Sequence, residues 1–181
     1  MWCNVGVAEK KYLIDIKIGD KITEHFSTNQ IIEYYVDDDV TEEDIRVYGK
    51  NYKYSFIAFV NDGTFEYYDY IQVYYETKTD KIVSTTGIYE MSDESESDCI
   101  DRRNKLVSKY QKKNKITSLF KKEEDTHKFP NGTVDRYIVF DNKKKQFVFR
   151  CYIYPGDEIQ NRVSLLDPEF SAYVFEKYNP Q

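Results

Sequence analysis

Between Tyr52 and Met91 apolar and polar positions alternate in three runs set apart by turn-forming residues. "YKYSFIAFV", "TFEYYDYIQVYYET" and "IVSTTGIYEM" carry the period of two that sends successive side chains to opposite faces of a strand. Asn61, Asp62 and Gly63 stand in the first gap and "KTDK" in the second. Residues of that kind supply positive φ, so the pattern predicts an antiparallel meander with a tight hairpin at 61–63. A second hairpin is predicted from "TVDRYIVF", the turn "DNKKK" and "QFVFRCYIY", with residues 114–132 before it forming a polar loop. Near the start, "YLIDIKIGD" sets Ile14, Ile16 and Ile18 against Asp15 and Lys17, which predicts a further strand. Gly19 and Asp20 then admit two readings: a two-residue hairpin turn, or Asp20 capping a short helix to about Phe26. "STNQIIEYYVDDDVTEEDIRVYGKN" follows, with a β-branched apolar centre, an acidic loop and a short strand.

Residues 93–113 have a different period. Cys99, Arg103, Leu106 and Tyr110 recur at helical spacing, and Ile100 and Val107 widen the same stripe, so this segment is predicted to be the main helix. Asp93, Glu94 and Glu96 fall at its N-terminus, and Lys105, Lys109, Lys112 and Lys113 lie towards the other end. That arrangement complements the helix macrodipole at a few tenths of a kcal/mol per charge. The acidic run "SDESES" is thereby explained without a ligand. At the C-terminus "DPEFSAYVFEKY" places Asp167 and Pro168 where a helix takes its N-cap and first residue.

The two hairpins also resemble one another. Val73 and Tyr75 align with Ile138 and Phe140, and Ile82, Ser84, Thr86 and Ile88 align with Phe147, Phe149, Cys151 and Ile153 at the same offset. A weak repeat with units 11–90 and 93–160 is one reading, and a chance match between amphipathic hairpins is the other. The expected fold is α+β: an antiparallel sheet, meander plus hairpin, packed against one main helix in a single compact domain over 1–181.

Composition narrows the class. Of 181 residues, 17% are aromatic, with 18 Tyr and 11 Phe, which suits half-buried pleated surfaces. The net charge of −6 opposes nucleic acid, whose phosphates need a basic footprint, and leaves a basic protein partner open. No run approaches the ~18 apolar residues of a membrane span. The opening "MWCNVGVAEKKYLIDIKIGD" has no signal-peptide pattern.

The cysteines bear on compartment. Cys99 lies on the apolar stripe of the helix; on "QFVFRCYIY", Phe147, Phe149, Cys151 and Ile153 share the more apolar face. Two cysteines on facing core surfaces predict a disulfide, whose loop of about 50 residues is worth roughly 4 kcal/mol. Two buried free thiols are the alternative. A bridge implies an oxidising compartment, periplasmic or secreted, with Met1 standing where a leader was removed. Cys3 is left unpaired or close to such a processing point.

Catalytic and metal chemistry find little support. His25 and His127 are the two histidines, and neither has a cysteine at a telling spacing; no CxxC or HxxxH occurs. The run "VDDDVTEED" lacks the central Gly and terminal Glu of a calcium loop. It reads as a solvated acidic loop or, through Asp37, Asp38 and Asp39, as a contact for a basic partner. Asn131 begins the sequence "NGT", a glycosylation sequon or simply a turn. "FEYYDYIQVYY" alternates rings on both faces, so two readings stand: Tyr67, Tyr68, Tyr70 and Tyr74 as an exposed protein-contact surface, or rings packed beneath a helix or a neighbouring sheet. No catalytic residue, metal or cofactor is predicted.

The stretch "IKIGDKITEHF" resembles the strand–Gly–short-helix opening of β-lactamase-inhibitor-protein-like and SmpA-type small bacterial envelope proteins, through Gly19 and the apolar spacing. The helix-then-hairpin plan and paired cysteines are similar too. The resemblance implies a non-catalytic envelope protein that binds other proteins. The expected function is therefore an extracytoplasmic binding module or inhibitor acting through a Tyr-rich sheet surface. The alternative is a cytoplasmic acidic immunity protein that neutralises a basic toxin or effector.

Overall fold

The computed structural model describes residues 13–33 and 53–178, apart from 64, 66, 114 and 157. Within them one antiparallel sheet of seven strands carries the fold, in the order β1-β2-β3-β7-β6-β5-β4. The strands are β1 (Tyr54–Val60), β2 (Tyr70–Glu76), β3 (Ile82–Glu90), β4 (Lys121–Lys128), β5 (Val134–Asp141), β6 (Gln146–Ile153) and β7 (Ile159–Leu166). The helices are α1 (Thr28–Glu33), α2 (Glu96–Lys112) and α3 (Pro168–Tyr178). The α+β expectation holds, with α2 as the main helix, packed on β6 and β7.

Strand register assigns every side chain to a face. One row runs Ile57, Val73, Thr85, Leu165, Phe147, Phe140 across six strands, on the side of the sheet that meets α2. All of these but the buried Thr85 join Leu106, Val107 and Tyr110 of α2 and Leu13, Ile16, Ile22 and Phe26 of the N-terminal segment in one core. The Tyr110 ring meets Phe149 edge-on at 5.3 Å, a preferred aromatic geometry. The opposite face receives α3, whose Phe170 lies on Tyr54 and Tyr74 at 4.9 and 5.1 Å.

The helix ends follow the sequence. Ser95 caps α2 in a capping box with Asp98, each side chain accepting from the other's backbone N–H. That hydrogen bonding to Ser95 holds the Asp98 carboxyl below its ordinary range. Asp167 accepts from the backbone N–H groups of Glu169 and Phe170, as a residue capping α3 should.

Cys99 and Cys151 form a disulfide between α2 and β6, with Cα atoms 5.9 Å apart. Both are fully buried in a small second cluster with Met91 and Ile159. Asn161, itself fully buried opposite Cys151, donates to the Arg150 carbonyl at 3.2 Å and lies 3.9 Å from each sulfur.

Several expectations are corrected. Residues 13–15 form a 3-10 turn and not a strand, because Leu13 and Ile16, three apart, are the buried pair. Gly19 has φ +94°, so it turns the chain, but into neither a hairpin nor a helix capped by Asp20. Residues 19–22 instead bond to the β2–β3 turn, through Gly19 N–H to Ile82 O and Ile22 N–H to Asp80 O, each at 2.8 Å. The N-cap of the following 3-10 turn, Ile22–Glu24, is Lys21. No tight hairpin occurs at 61–63: β1 and β2 pair from Val60 and Tyr70, and the Asn61 side chain donates to the carbonyls of Phe65 and Tyr68 and accepts from the Phe65 N–H. The segment 114–132, expected as a loop, contains the edge strand β4. β7, unanticipated, joins the meander to the second hairpin. About β7 the two hairpins are laid out in reverse order, while Val73 and Ile138 both face α2.

Candidate functional site

The four tyrosines expected to form a contact surface are dispersed. Tyr68 is only 6% exposed, so it belongs to the core: its ring lies against Gly87, and its hydroxyl sits 3.2 Å from that of Tyr110. Burial, partly offset by that hydrogen bond, pushes its pKa up to about 12, so it stays a neutral donor. Tyr67, at φ +76°, is tied to α2: Arg102 donates to its carbonyl and Lys109 to its hydroxyl. Tyr70 and Tyr74 lie on the opposite face of β2, with Tyr74 stacked on Phe56 and beneath Phe170. Asp37, Asp38, Asp39 and Cys3 lie outside the described residues.

The sheet brings a different set together, on the face away from α2. Register places Ile88, Arg162, Arg150, Tyr137 and Asp125 in one row across β3, β7, β6, β5 and β4. The next row holds Glu90, Gln160, Tyr152, Asp135 and His127. Arg150 and Arg162 are thus direct cross-strand neighbours. Arg150 donates to Asp135 Oδ2 at 2.7 Å and to the Tyr152 hydroxyl at 2.8 Å. Arg162 donates to the Tyr154 hydroxyl at 2.7 Å and to Gln160 Oε1, and its guanidinium lies 4.7 Å from the Tyr152 ring centroid. The Tyr152 and Tyr154 rings stack 6.0 Å apart, and Phe129 adds a third ring 6.5 Å from Tyr152.

The electrostatics of this cluster are set by burial. The Asp135 side chain is 2% exposed, and desolvation raises its pKa above the ordinary carboxyl range despite the pull of Arg150. Its Oδ1 has no hydrogen-bond partner among the described residues. Burial works to lower the pKa of Arg150, but Tyr152 and Asp135 outweigh it and the value rises. Desolvation raises Tyr154, offset by Arg162, and also raises Tyr137, where Asp125 adds to it. The result is a rigid patch of two cations, one buried anion and neutral phenols. Sequence reading missed it because Arg162 lies on the unanticipated β7, which alone brings it beside Arg150.

Other groupings offer less. Asp20, Glu24 and His25 are the group among the described residues whose possible ligand atoms lie within 4.8 Å of one another. Asp20 Oδ2 already meets His25 Nε2 at 3.0 Å, a hydrogen bond that closes the local turn. A shallow depression on the outer side of α2 is lined by Asp101, Asn104, Lys105, Ser108, Lys109 and Lys112. Its walls are surface charges. No helix among the described residues is long and apolar enough to cross a membrane.

Comparison with known proteins finds no family model, no curated sequence and no solved structure that matches the chain.

Proposed function

We propose that the protein is a non-catalytic, extracytoplasmic binding module that engages another protein through the sheet face of β5, β6 and β7. The observation that carries this reading is the array Tyr152–Tyr154–Arg150–Arg162 on that face. Tyr and Arg are the residue types enriched where proteins meet: Tyr offers a large amphipathic surface at small entropic cost, and Arg a planar fork of donors. Fixed by mutual hydrogen bonds, the side chains lose little further freedom on binding. The Cys99–Cys151 disulfide supports the compartment, because such bridges persist in oxidising surroundings. An inhibitor is one form such a module takes.

Two experiments test the reading separately. A photo-crosslinking side chain placed at Tyr154 should trap one defined partner in the native source, while the same side chain at Lys105 on the outer side of α2 should not. Equal trapping at both positions, or none at 154, contradicts the surface. For the compartment, protein purified under native conditions should resist alkylation at Cys99 and Cys151 until it is unfolded and reduced. Free alkylation of both on unfolding without reductant would favour the cytoplasmic antagonist.

A further inference from the structure

We infer that the Arg150–Arg162 pair is a receptor for a carboxylate side chain, so that the partner presents an acidic segment to this face. The inference rests on the binding-module reading above and names the partner's chemistry. It reverses the polarity expected from the chain's own charge: a protein of net charge −6 offers here a local cationic patch.

The argument begins with the cost of the arrangement. Like charges directly opposite one another on a sheet face are destabilising, and Arg150 and Arg162 are such a pair. Elsewhere among the described residues two arginines meet a carboxylate and one does not. Arg103 meets Glu124 at 2.7 Å, Arg136 meets Glu96, and Arg102 lies over the Tyr89 ring and donates to a backbone carbonyl. Arg162 forms a salt bridge with no carboxylate among the described residues; phenol and amide oxygens hold it in place. Asp135 spends one oxygen on Arg150, so the two guanidinium groups have a single buried counter-charge between them.

Donor geometry adds direction. Arg150 places its hydrogen bonds through one terminal nitrogen, Nη1, and its Nε and Nη2 donate to no described group. On Arg162 the nitrogen that donates to no described group is Nη1. Guanidinium donors match carboxylate oxygens in a planar fork, and cross-strand neighbours ~5 Å apart at Cβ suit one carboxylate straddling both. The side chain of Arg150 is 30% exposed, so part of it meets solvent.

Charge arithmetic selects the ligand. The two guanidinium groups and Asp135, the one carboxylate bonded to either of them, sum to a single positive charge when Asp135 is ionised, which one carboxylate neutralises and a phosphate dianion overshoots. Asp125 and Glu90 stand at the outer ends of the same two rows. A nucleic acid would meet two cations on an acidic protein, far short of a phosphate-tracking footprint. The stacked Tyr152 and Tyr154 rings beside the arginines provide apolar contact for the residues flanking an acidic side chain in a peptide. The occupant that fits is an Asp- or Glu-bearing segment of a protein.

The test uses the full-length protein and NMR detection of arginine Nε–Hε groups, with three probes at matched ionic strength: an acetylated, amidated hexaglutamate, the matching hexaglutamine, and inorganic phosphate. Hexaglutamate should shift the Arg150 and Arg162 resonances saturably, and the other two should leave them in place. Arg162→Gln should weaken the hexaglutamate titration at least tenfold. Arg162→Glu, which turns the like-charge pair into an opposite-charge one, should abolish it while Tm stays equal or rises. That rise separates loss of a binding site from loss of fold. An absent hexaglutamate shift, an equal response to phosphate, or a titration indifferent to Arg162→Gln overturns the inference. If crosslinking at Tyr154 still traps a partner, the binding-module reading stands without it; if both fail, both fall.

Discussion

Removing the disulfide by the double substitution Cys99→Ala/Cys151→Ala gives the most quantitative prediction. The bridge ties α2 to β6 across 52 residues of sequence. In the chain-entropy model, opening a loop of that size releases about 14 cal/mol/K to the unfolded chain, or roughly 4 kcal/mol at room temperature. Native stabilities run to ~5–15 kcal/mol, so this is a large share of the total. At about 2–4 °C per kcal/mol for a chain of this length, Tm should fall by roughly 8–16 °C. The packing lost is smaller, because Met91, Ile159 and the other neighbours remain to close around alanine. Urea denaturation of both proteins under non-reducing conditions gives the comparison. A lower midpoint should come with a steeper m-value, since the unbridged chain unfolds to a more expanded ensemble. A loss below about 1 kcal/mol with unchanged m would refute the view that the bridge acts by restricting the unfolded chain.

Two further perturbations probe the packing and the buried acid. At Gly87 an added Cβ would stand 2.5 Å from the Tyr68 ring, which burial and Tyr110 hold in place; Gly87→Ala should therefore cost about 1–3 kcal/mol in urea denaturation. Adding Tyr68→Ala to Gly87→Ala should cost less than the sum of the two single losses, and simple additivity would show that the ring is not the obstacle. Asp135 has a folded pKa raised above 3.8 by burial, so the native state holds the proton more tightly and the stability from this group falls as pH rises through that window. Asp98 runs the other way: its lowered value means stability present above 3.8 and lost as pH falls. In Glu124 burial works upward, but Lys122 and Arg103 together win, with the same sign as Asp98 below 4.5. Relative to Asp135→Asn, wild type should gain stability as pH drops from about 7 to about 4. A gap moving in the other direction would mean that attraction to Arg150 outweighs desolvation.

What the sequence revealed follows from how each element is buried. The hairpin at 134–153, the helix and the disulfide were legible because each has one apolar side and one wet side, so period and facing could be read together. β3 and β7 lie in the middle of the sheet and bury polar residues on both faces, Thr85 and Asn161 towards α2 and Ser84, Thr86 and Ser164 away from it, while Gln160 and Arg162 stay half-buried. β3 kept enough β-branched residues to be recognised; β7, with Asn161 and Arg162 at its centre, did not. β4 failed for the opposite reason, since every residue from Lys121 to Lys128 is exposed and no face is marked. Such a charged edge strand discourages pairing with other chains. The burial of Tyr68 was not legible because alternation continues through "FEYYDY" although Tyr67 has a positive φ. Arginines on neighbouring strands meet only through register, and register between β6 and β7 depends on contacts distant in sequence. The candidate site was therefore hidden where the fold was not.

The central claim, that a partner binds the face of β5, β6 and β7, is most directly tested by amide hydrogen exchange on the protein alone and in complex with the partner trapped at Tyr154. Slowed exchange should concentrate in 134–139, 148–154 and 159–163, with the outer side of α2 unchanged. Protection centred on 101–112, or none along β6 and β7, would contradict it.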